Sequence, residues 1–254
     1  MVLLTLVSGL LAGFLSGLLG LGGGILLTPI LLYAPQAVGL DALPVKEITG
    51  LTMTQGLAGA VSGVVRHHAS GYVSWRLVGY MGASVAIFAL VGAVVSSNVP
   101  DGALLAVFAG MALIASGLFL TPGPSGDEET DIVTFSAPLA VFLGAAVGFT
   151  GGLVGQAGSF ILIPLMVYVL RVPTRFAISS NLGIILFAAL AGLSGKLGTA
   201  QEPLVLAVAL VSGAVPAAQA GAMVSRRTKP RLLRYILAGV VTSAAIAIWV
   251  DIVV

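Results

Sequence analysis

The chain has 254 residues, 58% of them hydrophobic and only 8% charged, with a net charge of +2. A soluble domain carries about a quarter charged residues, so this chain cannot cover a water-facing surface, and its charge is too small to hold nucleic acid. The absence of cysteine removes disulfides and thiolate metal sites.

In chain order the sequence reads as ten apolar segments, several near the roughly 20 residues that cross a bilayer as helix, which makes it an all-α polytopic membrane protein. The first, 2–19, lies in "MVLLTLVSGLLAGFLSG", which has no basic start and no small-residue cleavage site and so reads as a membrane segment, not a removable signal. Segments follow at 24–40, 47–65, 75–97 and 101–121. The stretch "TPGPSGDEETD" (Thr121–Asp131), rich in proline, glycine and acid, then interrupts the apolar pattern at the midpoint. Further segments are expected at 134–151, 158–171, 174–195, 203–225 and 231–253. Residues 1–121 and 134–254 are therefore expected to form two halves joined by a polar linker at 122–133.

The halves read as copies. Shifted by 135, "GLLGLGGGILLTPILLY" (17–33) falls on "GLVGQAGSFILIPLMVY" (152–168), and ten of the 25 positions across 9–33 and 144–168 are identical. Among them are Gly9/Gly144, Gly13/Gly148, Gly17/Gly152, Gly20/Gly155, Gly23/Gly158, Pro29/Pro164 and Tyr33/Tyr168. Further on, Gly92 falls over Gly221 and Gly110 over Gly239, so the chain is an internal duplication. In each half the first two segments together exceed 30 residues, about 50 Å of helix and too long for one crossing of a roughly 30 Å core. They are expected to fold as a hairpin tipped by the glycine phrase, spanning or re-entrant, that returns to the side it left. Three net crossings per half remain, an odd number, which inverts one half relative to the other and leaves both termini outside. Basic residues then divide nine against two, with only Lys46 and Lys196 on the poorer side, compared with eight against three for parallel repeats. Hairpin length thus decides more than charge does.

The glycines divide into two kinds. Gly9, Gly13 and Gly17, like Gly144, Gly148 and Gly152, recur at i+4 and make a small-residue stripe for close helix packing. Pro29 and Pro164 are read as kinks, and Tyr33, Tyr72, Trp75, Tyr168 and Trp249 as interfacial aromatics. The run Gly22-Gly23-Gly24 is different, because each glycine costs about 1 kcal/mol in a helix and the helix should break there. Broken backbone at membrane depth is tolerated only against protein or a wet cavity. A new helix is expected at about Ile25 and, in the second half, at about Phe160, and the free N–H groups and positive dipole end of each offer an anion site. Inverted repeats bring two such ends towards each other near the midplane. The second copy reads Gln156, Ala157, Gly158, Ser159, Phe160, which adds an amide and a hydroxyl to the backbone donors.

Other polar groups inside apolar segments are Thr52, Thr54 and Gln55, with Ser179, Ser180 and Asn181 in the counterpart. Interhelical hydrogen bonds of about 0.6 kcal/mol each account for most of them. Gln55 and Asn181, amides that are costly to bury unpaired, join Thr52 as candidates for lining the cavity, and Gln219 is a weaker one. No Asp, Glu, Lys or Arg falls at the centre of a segment, so the buried carboxylate of a cation pump is missing. His67 and His68, beside Arg66, are placed at an interface. Nucleotide motifs fail: there is no G-x-x-x-x-G-K-[ST], and Ile25 stands where G-x-G-x-x-G needs its last glycine. No cofactor is called for.

The duplicated phrase resembles the sulfite exporter (TauE/SafE) family of membrane permeases, over essentially the whole chain. The family pattern G-x-G-G-G-x-x-x-x-P is carried here by Gly20, Gly22, Gly23, Gly24 and Pro29, and the second copy departs from it at Gln156 and Ala157. What the resemblance implies is export of a small sulfur-containing anion, sulfite or an organosulfonate, across a bacterial or archaeal cell membrane.

The expectation is therefore a secondary transporter of a small oxyanion bound at the two glycine-rich breaks. Its partners are that anion and membrane lipid, with no nucleic acid and with room for a homo-oligomer. The rivals are a membrane-embedded enzyme or assembly factor, and an anion channel. An enzyme would gather His, Asp, Glu or Ser near one interface, whereas the dense cluster "RRTKPRLLR" (Arg226–Arg234) reads as a topology signal with anionic-lipid contact. Proton coupling would have to use a group at a segment end such as Glu47, or the protonation of the substrate itself.

Overall fold

The computed structural model describes residues 1–19, 24–67, 72–120, 133–156, 159–225, 228 and 230–253. The linker and the centres of both glycine phrases, 20–23 and 157–158, lie outside the described residues. Among the described residues ten α-helices follow in the expected order: α1 (Val2–Leu19), α2 (Gly24–Ala37), α3 (Val45–His67), α4 (Trp75–Val95), α5 (Asp101–Leu120), α6 (Ala137–Val154), α7 (Ser159–Pro164), α8 (Thr174–Gly198), α9 (Leu204–Ser225) and α10 (Pro230–Val253). No strand occurs among the described residues.

Among the described residues, six stretches are long and apolar enough to cross a membrane: Val2–Leu19, Trp75–Asn98, Asp101–Leu118, Ala137–Val154, Thr174–Gly198 and Leu204–Ser225. The 23-residue α3 carries Thr49, Thr52 and Gln55 within its apolar run. Those side chains are buried, so the polar face of α3 looks into the protein and not at lipid. The apolar exposed surface lies elsewhere, on residues such as Leu3, Phe142, Val205 and Val208. The prolines act differently in the two halves. Pro29 and Pro35 stay inside α2, whereas α7 ends at Pro164 and continues as a π-helical turn, Leu165–Val169.

Packing exchanges elements between the halves. α1 lies along α9, and α6 along α4. The glycine stripes are the contact: a Cβ on Gly9, Gly13 or Gly17 would collide with the backbone of Leu210, Ala214 and Ala218 in turn. Gly144, Gly148 and Gly152 press on Met81, Val85 and Ala89 in the same way. Gly221 and Gly92 return the contact to the backbones of Phe14 and Phe149. Paired numbers rise together along both contacts, so each pair of helices runs parallel. Small residues let the backbones approach this closely, and van der Waals contact then replaces the hydrophobic drive that lipid does not supply.

The third helices of the two halves meet as well. Thr49 lies opposite Lys196, Met53 opposite Gly192 and Gly56 opposite Ala189, so α3 and α8 cross antiparallel. α4 and α8 run parallel, with Gly183 against Val78 and Gly195 against Leu90 and Ala93. The fifth helices, α5 and α10, share a hydrogen bond of 2.6 Å between the hydroxyls of Ser116 and Thr242.

Candidate functional site

The helix break of the second half is built on one glycine. α6 ends at Val154, and Gly155 follows with φ +74°, a left-handed conformation suited to glycine. Its missing side chain matters twice, because a Cβ there would run into the backbone of Thr49 on α3. The amide of Gln156 donates to the Gly151 carbonyl at 2.8 Å and closes the turn. The Gln156 side chain, almost fully buried, then crosses to the other hairpin. Its Nε2 donates to the Gly24 carbonyl at 3.0 Å and to Thr28 Oγ1 at 2.7 Å, while Thr28 donates to the same carbonyl at 3.3 Å. Gln156 Oε1 is enclosed without a hydrogen-bond partner among the described residues. Gly24 has no room for a side chain, since a Cβ would meet that amide oxygen. The end of α6 and the start of α2 are thus in contact.

The new helices begin at Gly24 and Ser159, one residue ahead of the expected starts. Ile25 and Phe160 are buried, and the Phe160 ring packs 5.9 Å from that of Phe108, so their side chains fill the core and only their backbone could face a ligand. Gly22, Gly23, Ala157, Gly158 and the side chain of Ser159 lie outside the described residues.

The amide-bearing candidates do not form one cluster. Thr52 Oγ1 donates to the Thr49 carbonyl at 3.0 Å, within its own helix. Gln55 is fully buried and neither atom of its amide has a partner among the described residues. Asn181 is also fully buried, but Gly56 is level with Ala189 across the α3–α8 crossing. Eight residues separate 181 from 189, so Asn181 lies roughly 12 Å along α8 from the level of Gln55. Sequence grouped Gln55 and Asn181 because they occupy corresponding segments; an antiparallel crossing carries such residues to opposite sides.

One charged residue corrects the expectations. Lys196, expected on an aqueous face, is fully buried, because α8 continues past residue 195 to Gly198. Its Nζ donates to Ser96 Oγ at 2.6 Å, Thr49 Oγ1 at 2.8 Å, Gln201 Oε1 at 3.0 Å and the Leu153 carbonyl at 3.3 Å. The last partner belongs to the C-terminal turn of α6, where a cation favours the negative dipole end. A single ammonium therefore ties α8 to α3, to the short 3-10 turn after α4 (Ser96–Asn98) and to the break itself. The signal was present: Ala188, Ala189, Gly192, Gly195 and Lys196 recur at helical spacing, and all are buried. A lysine sharing a face with small residues is an interior lysine.

Beside this core, Thr54, Ala58, Ser62, Val211 and Gln219 line a groove of about 640 Å³ between α3 and α9. A neighbouring cavity of about 440 Å³ shares Thr54 and Val211 and reaches Glu202. No group of His, Asp and Glu suited to a metal ion occurs among the described residues.

Comparison with known proteins places the chain among membrane transporters. The family model described as "Sulfite exporter TauE/SafE" matches residues 5–248. A protein of Xylella fastidiosa named "Probable membrane transporter protein" is 31% identical, over 98% of this chain and 95% of its own length. Relatives named in similar terms from Methanocaldococcus jannaschii and Bacillus subtilis are each 24% identical, over 93% and 91% of this chain and 91% of their own lengths. No solved structure matches the chain.

Proposed function

Because the chain belongs to the sulfite exporter TauE/SafE family and is an integral membrane transporter, not an enzyme, we propose that its cargo is a small oxyanion, sulfite or an organosulfonate, held where α2 begins beside Gln156. The observation that carries this reading is the Gln156 bridge. It holds the start of α2 against the second break, with its Nε2 engaged by the Gly24 carbonyl and Thr28, so the donors left for an anion would be the backbone N–H groups of that helix start. The first-turn N–H groups of an α-helix have no partners within the helix and sit at its positive end. Gln156 would fix the donor geometry, Gln55 would add a buried amide, and the side chain of Ser159 would add a hydroxyl. Selectivity then follows from the number of fixed donors and the space between them.

The reading includes two inverted repeats, residues 1–121 and 134–254, with a hairpin opening each. The antiparallel crossing of α3 and α8 supports it, because corresponding helices of parallel repeats would run the same way. Reciprocal packing of each first helix on the fourth helix of the other half supports it too. Such halves can rock against each other around a shared site.

Counterflow in proteoliposomes tests the cargo. Vesicles loaded with unlabelled sulfite and given labelled sulfite outside should accumulate label transiently, with sulfoacetate and taurine competing by rank. A channel would equilibrate without overshoot. Absence of accumulation by folded, inserted protein would remove sulfite as cargo.

A further inference from the structure

The turn after α8 brings a carboxylate inward. The Ala200 amide donates to the Leu197 carbonyl at 3.2 Å and the Gln201 amide to the Lys196 carbonyl at 2.9 Å, a paired closure that folds the chain back on α8. Gln201 is thereby buried, with its Oε1 accepting from Lys196 Nζ at 3.0 Å and from Ser96 Oγ at 3.1 Å. The next residue, Glu202, accepts a hydrogen bond at Oε1 from Thr54 Oγ1 at 2.9 Å. Its Oε2 is enclosed with no hydrogen-bond partner among the described residues, and a Cβ on Gly50 would come within 2.6 Å of it. Glu202 and Thr54 both line the 440 Å³ cavity, which shares Thr54 and Val211 with the adjacent α3–α9 groove.

A carboxylate normally accepts several donors, and a single hydroxyl leaves most of its charge unanswered. From α8 the charged group facing Glu202 is Lys196, already engaged by four oxygens. On α3, Lys46 and Glu47 stand one turn before Gly50, and Lys46 Nζ donates to the Ser97 carbonyl at 2.7 Å. α9 carries no titratable side chain. We propose that Glu202 is a proton-binding site reached from the groove between α3 and α9, and that its proton is exchanged in step with movement of the anion.

The link to the anion site is a run of contacts. Gly155, beside Gln156, abuts the Thr49 backbone; Thr49 accepts from Lys196; Lys196 holds Gln201, the residue before Glu202. Movement of the break against α3 therefore changes the surroundings of the carboxylate. Burial pushes the Glu202 carboxyl up to about 7, opposed by the Thr54 hydrogen bond and by Lys196, so the group titrates in the range where a transporter works.

The consequence for transport rests on the anion-carrier reading, and Glu202→Gln, the neutral isostere, separates the two. Sulfite counterflow at equal pH on both sides should stay within about threefold of wild type, because exchange needs no net proton movement. Accumulation of isethionate, a sulfonate that does not titrate, is then driven by a one-unit pH gradient with the potential clamped. Wild type should approach about tenfold accumulation and the variant should lose it. Gradient-driven accumulation retained by the variant would overturn the proposal. A second measurement needs no cargo. A carboxyl with a raised folded pKa stabilises the fold below the unfolded pKa and loses that contribution as pH rises through about 7. The melting temperature of wild type should therefore fall by about several degrees relative to Glu202→Gln between pH 5 and pH 8. If wild type shows neither counterflow nor accumulation, the cargo reading has failed and the melting comparison alone decides the proton site. A flat difference between the two proteins counts against it.

Discussion

The helix pairs α1–α9 and α6–α4 match almost contact for contact, whereas the sequences that follow these helices do not match. Gly9, Gly13 and Gly17 meet Leu210, Ala214 and Ala218 as Gly144, Gly148 and Gly152 meet Met81, Val85 and Ala89, under shifts of 135 in the first helix and 129 in the fourth. Under the same shifts Gln156 stands over Leu21, Lys196 over His67 and Glu202 over Val73. Backbone-to-backbone contact admits no side chain, so both helix pairs need glycine at these positions. Polar side chains carry no such constraint, and the halves diverge where chemistry is available.

The largest effect should come from the glycine contacts that the two helix pairs share. Gly13→Leu and Gly148→Leu both push a branched side chain into backbone that cannot move aside, so each should cost well above the roughly 1–3 kcal/mol of ordinary overpacking. Neither variant should give a monodisperse peak in size exclusion. Tolerance of one but not the other would show that the two contacts differ in importance despite their matching geometry.

Lys196 comes next, on the side of the comparison that diverged. Lys196→Met keeps the volume and removes the donor from four buried oxygens, with an expected loss of about 3 kcal/mol or more. Lys46→Met removes one bond from a half-buried residue and should cost about 1 kcal/mol. Thermal unfolding in detergent orders the two. Equal losses would mean that the interior ammonium holds the four elements together no better than a rim lysine holds one carbonyl.

Gln156→Leu gives the second break the residue of its counterpart. Two hydrogen bonds disappear, so stability should fall by about 1–2 kcal/mol, while sulfite counterflow should drop at least about tenfold. A stability loss of this size with undiminished counterflow would confine Gln156 to a structural role and move the anion site elsewhere.

These sites differ in how far the sequence disclosed them. All ten helices were legible, because glycine breaks, prolines and apolar runs act within a few residues of themselves. The stripe glycines were legible too, since i+4 spacing defines a helix face without reference to the partner. The Gln156 bridge was half visible: the residue stood out, but its partner Thr28 lies 128 positions away and only the fold joins them. Lys196 was misplaced because an expected end at residue 195 put it in the loop, and one further turn of helix carried it inside. Glu202 could not be read at all. Its inward aim depends on the turn at Ala200, and its partner Thr54 is supplied by the opposite half.

That turn offers the smallest test. Ala200 sits at φ +53°, in the left-handed region where a Cβ crowds the following carbonyl, at a cost of roughly 1–2 kcal/mol. Glycine removes the crowding, although the unfolded chain then has more freedom to lose, about 0.5–1 kcal/mol. Ala200→Gly should therefore stabilise the protein by about 1 kcal/mol or less, seen as a small rise in melting temperature. Gly71 is the corresponding residue under the shift of 129, so the substitution makes the two positions alike in sequence. A fall in stability would mean that the Cβ of Ala200 contributes to keeping Gln201 and Glu202 inside, and counterflow at several pH values would then reveal whether the inward turn is retained at the expense of backbone ease.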